Sequence, residues 1–553
     1  MIGVISKDSE IKVVQEFFEL FKTPWEFYVP QHVYDMVIAT SDLMPTNPNA
    51  PVLAIYNSRR TEFDQGIGMA TQLRQKDEWL ECDGVEFPVY GDESVFHPAE
   101  GAFLRRRGKP DIVGVEVNES TCRVMRVGYD LFQEISFLLS RGQPRENAHI
   151  PTLEIHISLL RRCMLNAGIS FVEIPPVPGG YDFMACLTHD VDFTGIRKHK
   201  FDQTMWGFVY RALVGSLIDA LRGRMAWSKL RQNWKAVFSL PLVHLGLQED
   251  FWLEFDRYLQ IESGLGSTFY FLPFKDFAGE QDSGAAPKRR AAKYDVTEIK
   301  EQVRELLRSG CEIGLHGIDA WRGAQKAREE RSRIYGVTGQ PVAGVRMHWL
   351  YFDKGSPKAL QEAGFSYDSS FGYNNAVGFR GGTTQVFCPT FAGDLFELSL
   401  NIQDTAMFYP SRMNLTETQA LDMYKLLIGS TATFGGALTV NWHTRSLSPE
   451  RLWGDSYVSL LNQIRNKCVW FGTAEEIVTW FRNRRAFRFE QAQSIETGLQ
   501  VRITGPAPDG LPPFLVRTHH PTSRFSTETA FTTLGTAYSD TPWRGETELK
   551  VAW

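Results

Sequence analysis

Side chains that can hold a cation or move a proton occur in four short segments of this 553-residue sequence. Carboxylates and imidazoles coordinate divalent cations and also act as general acids and bases. Each segment follows a short run of apolar residues. The segments are Thr-His-Asp-Val-Asp at 188–192, His-Gly-Ile-Asp at 316–319, Arg-Met-His at 346–348 and Trp-His at 442–443.

The first segment places Asp190 and Asp192 one residue apart. One carboxylate of such a pair can hold a cation while the other stays free to take a proton from bound water. A turn with two solvated aspartates is the alternative interpretation. The apolar run at 183–187, which leads directly into the pair, favours the rim of a pocket.

Seven apolar runs alternate with helical patterns in this part of the chain. Such alternation is typical of β/α units around a parallel sheet or barrel. Because the carboxyl ends of parallel strands meet at one edge, side chains far apart in sequence would converge there. A lone histidine is more often structural. Here four polar segments each follow an apolar run, and that repeated placement favours a site. The runs are 183–187, 267–272, 311–315, 344–347, 365–369, 395–400 and 437–442.

A cluster of breaker residues, Pro-Pro-Val-Pro-Gly-Gly at 175–180, indicates a linker. We therefore predict an α/β accessory domain at residues 1–178 and the β/α body at 179–485. The turn-rich tail at 486–553 predicts a small β module. Residues 278–290 are predicted to form a flexible loop of low order.

Composition and charge exclude some function classes. A net charge of −6 and a pI near 6.1 leave no electrostatic footprint for a phosphate backbone, so we expect no nucleic-acid partner. The seven cysteines are odd in number and never form a C-x-x-C pair, which indicates reduced thiols. The first 22 residues lack the pattern of a secretory signal. These features predict a cytoplasmic protein.

The most membrane-like stretch is 205–227, and four charged residues interrupt it. No uncharged run in it approaches the roughly 18 residues that a span requires, so we expect no transmembrane segment. An amphipathic helix with arginines on one side could make peripheral contact with a membrane surface. A helix packed on its own protein shows the same pattern, and that interpretation is favoured here. The charged residues are Arg211, Asp219, Arg222 and Arg224.

From about residue 181 to residue 481 the sequence resembles the polysaccharide deacetylase family, the homology domain of chitooligosaccharide and peptidoglycan deacetylases. The resemblance implies an α/β fold in which a distorted (β/α)7 barrel carries the site, between the N-terminal α/β accessory domain and the small C-terminal β module. Residues 188–192 resemble the first motif of the family, usually Thr-Phe-Asp-Asp-Gly. The resemblance implies that Asp190 is the catalytic base and that Asp192 is a metal ligand.

The second motif of the family is His-Ser/Thr-x-x-His, and His316 matches its first histidine. Gly317 and Ala320 depart from the motif at the hydroxyl residue and the second histidine. Asp319 is the nearest replacement as third metal ligand, with His348 as the rival. A helix N-cap is an equally good interpretation of Asp319.

Two further residues complete the resemblance. Arg346 is similar to the arginine of the third motif, and a fixed cation beside Asp190 would lower the pKa of that carboxyl. A plain structural salt bridge is the alternative. His443 ends a segment similar to the last motif, Leu-x-His, which implies that its imidazole protonates the leaving amine.

The resemblance implies a metal-dependent hydrolase that removes an N-acetyl group from a carbohydrate. The metal would be zinc, with manganese or cobalt as alternatives. Two other functions stay open on the sequence alone. One is hydrolysis of a cyclic amide or imide on the same fold, and the other is carbohydrate binding without catalysis.

Overall fold

A computed structural model describes most of the chain. The described residues are 1–41, 48–74, 78–97, 100–119, 122–390, 392–495, 498–507, 510–521, 538–545 and 548–552. Within these ranges, none of the helices is both long and apolar enough to cross a membrane.

The chain up to Val127 contributes an 11-stranded mixed sheet, in the order β2-β1-β3-β4-β11-β10-β9-β6-β7, with β8 pairing β10 and β5. The strands from β2 to β11 in this order are parallel, and the others are antiparallel. The elements up to Val127 are β1 (Ile2–Ile5), α1 (Ile11–Phe21), β2 (Trp25–Phe27), β3 (Met36–Ala39), β4 (Val52–Tyr56), α2 (Glu62–Gly66), β5 (Ala70–Arg74), β6 (Glu78–Cys82), β7 (Val85–Val89), β8 (Glu93–His97), β9 (Ala102–Arg106), β10 (Ile112–Asn118) and β11 (Arg123–Val127). Two helices and a strand outside this sheet follow, namely α3 (Leu131–Ser140), α4 (Thr152–Asn166) and β12 (Phe171–Glu173).

The next part of the chain builds the sheet that carries the four polar segments. Its elements are β13 (Phe183–Val191), α5 (Gln203–Tyr210), α6 (Ser216–Leu221), α7 (Trp227–His244), α8 (Phe255–Ile261), β14 (Ser267–Phe271), β15 (Glu280–Gln281), β16 (Gly284–Ala285), α9 (Lys300–Arg308), β17 (Glu312–Gly317), α10 (Ala324–Thr338), β18 (Gly344–Met347), α11 (Ser356–Glu362), β19 (Tyr367–Asp368), β20 (Phe396–Glu397), β21 (Ile402–Gln403), α12 (Asp404–Phe408), α13 (Glu417–Phe434), β22 (Ala437–Asn441), α14 (Gly454–Arg465) and β23 (Val469–Phe471).

This second sheet is parallel and curled into a half-barrel. Its order is β20-β19-β18-β17-β14-β13-β22-β21, with β23 also pairing β13. The sheet curls toward a ring, because β22, which comes late in this part of the chain, pairs with β13, the strand that begins it. Within the described residues the ring is open at one place, between β20 and β21. The predicted α/β class with a parallel sheet is therefore confirmed.

All seven apolar runs that the sequence indicated are strands of this sheet. The first is longer than predicted, because β13 is paired on one side or the other from Phe183 to Val191 and so takes in most of the first polar segment. Two short strands, β21 and β23, were missed. All nine residues of β13 are buried, as expected of a parallel strand covered on both faces.

The remaining elements are α15 (Ala474–Ala486), β24 (Arg488–Ile495), β25 (Gly498–Thr504), β26 (Leu515–His519), β27 (Tyr538–Pro542) and β28 (Glu548–Ala552). They form two three-stranded sheets, β24-β25-β28 and β12-β26-β27. The second includes β12, so the tail pairs with residues that precede the half-barrel. Part of the predicted β module, residues 522–537, lies outside the described residues. The division into domains at 178 and 485 stays a prediction.

Arg484 links these parts of the chain from a fully buried position in α15. Its guanidinium donates to several backbone carbonyls, and these hydrogen bonds offset the cost of burying a cation there. Burial lowers the pKa of Arg484 to about 9. The acceptors are the carbonyl oxygens of Ile174, Glu19 and Leu20 at 2.6–3.0 Å and Gln385 Oε1 at 3.2 Å.

Arg484→Ala is expected to lower the free energy of unfolding by about 3 kcal/mol, because several buried carbonyls lose their donor. Urea-induced unfolding followed by circular dichroism measures the change. Arg308→Ala is the matched control, since the Arg308 side chain is 64% exposed. A change of equal size in both variants would contradict the linking role of Arg484.

Candidate active site

The half-barrel brings the four polar segments to one edge, the carboxyl ends of its strands. Asp190 lies inside β13 and Asp192 follows its last residue. His316 lies in β17, and Arg346 and His348 lie at and just beyond the end of β18. The register His316↔Arg346 between these neighbouring strands sets both side chains at the same height.

Asp192, His316 and His348 form a cluster whose ligand atoms all lie within 4.8 Å of one another. Asp192 Oδ1 is 3.3 Å from His316 Nε2 and 3.3 Å from His348 Nδ1. The two imidazole nitrogens are 2.9 Å apart. Three donor atoms from three strand ends therefore point at one position.

Backbone carbonyls determine which nitrogen of each ring carries the hydrogen. His316 Nδ1 lies 2.9 Å from the carbonyl oxygen of Arg346, and His348 Nε2 lies 3.1 Å from that of Arg290. A carbonyl only accepts, so these two nitrogens donate and the opposite nitrogens are left as lone pairs in the neutral rings. Burial lowers the pKa of His348 to about 4, so this ring is neutral at neutral pH.

The cluster fits a divalent cation. Two lone pairs that face each other at 2.9 Å repel unless a positive charge lies between them. Asp192 Oδ1 is buried and has no hydrogen-bond partner among the described residues, which is costly for a carboxylate oxygen. Two imidazole nitrogens and one carboxylate oxygen are a donor set that zinc and similar ions take with a coordination position left open.

The structure does not bring Asp319, the predicted third ligand, into this cluster. Asp319 Oδ1 accepts a hydrogen bond from the Glu280 backbone NH at 2.8 Å, and Lys326 Nζ lies 3.4 Å from Oδ2. Its side chain also makes no N-cap hydrogen bond to the turn that follows. Asp319 instead anchors the hairpin of β15 and β16, and the rival residue, His348, occupies the third position.

The segment at 278–290, predicted as a flexible loop of low order, contains regular secondary structure and supports the cluster. It contains the β15–β16 hairpin and ends at Arg290, whose side chain is buried. Arg290 Nη2 donates to the carbonyl oxygens of Ile318 and His348, both at 2.9 Å. The prediction was wrong because the acceptors that order this loop come from distant strand ends, which local composition does not reveal.

Asp190 lies beside the cluster and is held by two donors. Arg346 Nη1 donates to Oδ1 at 3.1 Å, and Asn441 Nδ2 donates to Oδ2 at 2.7 Å. Burial raises the pKa of the Asp190 carboxyl, but the positive charge around it, including that of the Arg346 guanidinium, outweighs burial and leaves the pKa below its ordinary value. Asp190 is thus an oriented carboxylate anion whose Oδ2 is 4.0 Å from His316 Nε2.

His443 faces the same position from the opposite side. Its Nδ1 lies 2.6 Å from Asp404 Oδ1, and its Nε2 lies 3.8 Å from Asp192 Oδ2 and 4.0 Å from Asp190 Oδ2. Burial lowers the pKa of His443, but the fully buried Asp404 carboxylate outweighs this and raises the pKa above its ordinary value. The raised pKa favours the charged ring, in which Nε2 carries a proton.

Two residues of the site were missed from the sequence. Asp404 directly follows β21, a two-residue strand too short to leave a periodic pattern. Asn441 was visible in principle, because it ends β22 two residues before His443, and side chains of an extended backbone alternate with period two. Its partner, Asp190, lies 251 residues away in the sequence.

Several solved structures align with part of this chain at low similarity. A protein described as a polysaccharide deacetylase from Mycobacterium smegmatis is 18% identical over 56% of this chain and 95% of that chain, with a TM-score of 0.34. One so described from Pseudomonas aeruginosa PAO1 is 15% identical over 56% and 94%, with a TM-score of 0.32. Puue allantoinase is 13% identical over 55% and 92%, with a TM-score of 0.31.

No protein-family model and no curated protein matches the sequence. At these identities and TM-scores the aligned structures assign neither a family nor an activity to this chain. The function proposed below therefore depends on the geometry of the site.

The two candidates for the third ligand give opposite expectations for metal content. His348→Ala is expected to lose most of the bound metal, because one of three donors is removed, whereas Asp319→Ala should retain about one ion per chain. Inductively coupled plasma mass spectrometry on the two variants and the wild type, purified in parallel, measures this. Metal loss confined to Asp319→Ala would return the ligand assignment to Asp319.

Proposed function

We propose that the half-barrel is the distorted (β/α)7-type catalytic barrel of a metal-dependent hydrolase that removes the N-acetyl group from a carbohydrate. The observation that carries the proposal is the placement of three groups around one position. A cluster with the donor atoms to hold an ion, a fixed carboxylate anion and an imidazole with a raised pKa meet there. Metal-assisted hydrolysis of an amide uses these three functions together.

Asp192, His316 and His348 would hold the ion. A divalent cation in this position would polarise the acetyl carbonyl and stabilise the negative charge that develops on its oxygen. Zinc suits two imidazole nitrogens and one carboxylate oxygen, and manganese or cobalt can replace it in such a set.

Asp190 is the general base of the proposed reaction. Because Arg346 and Asn441 hold its two oxygens, the carboxylate cannot rotate away from the cluster. A carboxylate with a lowered pKa is ionised at neutral pH and free to accept a proton from the attacking water.

His443 is the general acid. Its Nδ1–H is committed to Asp404, so the proton available to the substrate is the one on Nε2, the nitrogen that faces the cluster. Donation of this proton to the departing nitrogen lets the free amine leave as acetate forms. After the product leaves, the Asp404 carboxylate favours the charged form of the His443 ring, so that the ring takes up a proton again for the next turnover.

An aromatic pair next to His348 supports a carbohydrate as the rest of the substrate. Trp349 and Tyr351 are half-buried, with the Trp349 ring 5.8 Å from that of His348. Trp349 has a φ of 63° and Leu350 a φ of 55°, a left-handed backbone that side chains adopt at a cost. The cost of this backbone conformation is tolerated where it positions a functional surface. The flat face of an aromatic ring, such as that of Trp349, can stack on the apolar face of a sugar.

Acetate release tests the proposal directly. The protein is loaded with zinc, manganese or cobalt and incubated with N-acetylated mono- and oligosaccharides, and free acetate is measured with a coupled assay. Metal-dependent release of acetate with an equal amount of free amine is expected. Bound metal without any acetate release, together with opening of a cyclic amide or imide, would show that the site serves another amide.

Asp190→Asn is expected to lower kcat by about two to four orders of magnitude while metal content stays near that of the wild type. Asparagine has nearly the same shape as aspartate but cannot accept a proton. Acetate release and metal content are measured on the same preparation. Activity near that of the wild type would eliminate Asp190 as the base.

Asp404→Asn is expected to move the alkaline limit of activity to lower pH. Without the Asp404 charge the pKa of His443 falls, so its proton is lost at a lower pH and the rate declines earlier as pH rises, by about one unit or more. The pH dependence of kcat measures this shift. Asp422→Asn is the control, because that side chain is 73% exposed, and its profile should match the wild type. An unchanged profile in Asp404→Asn would show that His443 is not the acid.

A further inference from the structure

Residues 201–247, between β13 and β14, form two helical arms outside the half-barrel, which we call the helical hairpin. One arm is α5, a π-helical turn at Arg211–Gly215 and α6, and the other is α7. The arms contact each other through α6 and the π-helical turn. Buried apolar side chains of both arms, including Phe208 and Leu240, pack with Trp252.

The outer faces of the helical hairpin are apolar and exposed. Of the 23 large hydrophobic side chains that are exposed in the described part of the chain, twelve lie in these 47 residues. All three of the exposed tryptophans, Trp206, Trp227 and Trp234, are among them. A soluble monomer rarely exposes so much apolar surface in one place without a partner for it. The highest exposures are Phe201 80%, Leu247 74%, Phe238 73%, Leu245 72% and Leu221 70%.

On each arm the exposed apolar residues follow helical spacing. Trp234, Phe238, Leu242 and Leu245 are three or four residues apart in the second arm, so they share one face. The corresponding stripe on the first arm is Trp206, Tyr210, Val214, Ile218 and Leu221. The Trp234 indole NH donates to the Leu213 carbonyl at 3.3 Å, so the stripes lie beside each other at that point.

The charge of the helical hairpin is opposite to that of the whole chain. It contains six arginines and lysines against two aspartates, whereas the protein as a whole carries a net charge of −6. Four of the six cations are exposed and form no ion pair with any described residue. An apolar stripe bordered by free cations is complementary to a surface of anionic lipid. The four are Arg222, Arg224, Arg231 and Lys235.

We propose that the helical hairpin binds the surface of a membrane that contains anionic phospholipid. The apolar stripes enter the boundary between headgroups and acyl chains, Trp and Tyr rings lie at headgroup level, and the free cations contact lipid phosphates. The sequence favoured internal packing for this stretch, and the inner sides of both arms do pack internally. The exposed stripes on the outer faces are what the proposed membrane contact uses. The proposal does not depend on the proposed catalytic function.

The helical hairpin is joined to the same edge as the candidate site. It begins ten residues after Val191, the end of the strand that carries Asp190. Arg211 forms an ion pair with Glu450, whose backbone NH donates to Asn233 Oδ1 at 2.6 Å. Glu450 follows His443 closely in sequence. A docked hairpin therefore holds the strand ends near the bilayer, where a substrate attached to lipid would be presented.

Flotation with lipid vesicles tests the proposal. The full-length protein is expected to float with vesicles of phosphatidylcholine and phosphatidylglycerol, and far less with phosphatidylcholine alone. Phe238→Glu combined with Leu242→Glu should abolish flotation, and Arg222→Glu combined with Arg224→Glu should weaken it on the order of tenfold or more. Leu73→Glu and Tyr335→Glu, at side chains 60% and 53% exposed outside the hairpin, should leave flotation unchanged.

Three results would overturn the proposal. The first is the absence of wild-type flotation on anionic vesicles, and the second is unchanged flotation of the Phe238→Glu and Leu242→Glu variant. The third is a wild-type dimer, measured by light scattering without lipid, that this variant dissociates, since the stripes would then bind a second copy. Far-UV circular dichroism of each variant shows that the fold is retained.

Discussion

The site depends on the electrostatics of two imidazole rings that face each other across 2.9 Å. Each ring donates its far NH to a backbone carbonyl, which leaves His316 Nε2 and His348 Nδ1 as opposed lone pairs. Such an arrangement is unfavourable by itself and becomes favourable when a cation and the Asp192 carboxylate complete it.

Arg346 couples the ion-binding cluster to the proposed base. Its backbone carbonyl fixes the ring of His316, and its guanidinium holds Asp190 and Thr188 from the same strand. Substitution of its side chain would thus disturb the base while leaving the carbonyl in place. Arg290 has a similar double role on the other side, because its carbonyl accepts from His348 and its side chain donates back to the carbonyl of that residue.

The edge that carries the site is also the edge from which the helical hairpin leaves the sheet. A contact between this hairpin and lipid would bring the polar site close to a bilayer without placing any charge inside it. Contacts of Glu450 with Arg211 and Asn233 connect the hairpin to the segment that follows His443. Substrate selection in such an arrangement is partly geometric, because only groups presented at the membrane surface reach the strand ends.

The sequence by itself determined seven of the nine strands of the half-barrel and the edge where the polar segments meet, because apolar runs and the polar residues after them are local patterns. It also indicated Asp190, Asp192, His316, Arg346 and His443 as members of the site. Only the tertiary structure placed His348, and not Asp319, beside Asp192 and His316, and added Asp404. The physical reason is that a ligand or a hydrogen-bond partner is chosen by distance in space, and strands far apart in sequence supply those partners.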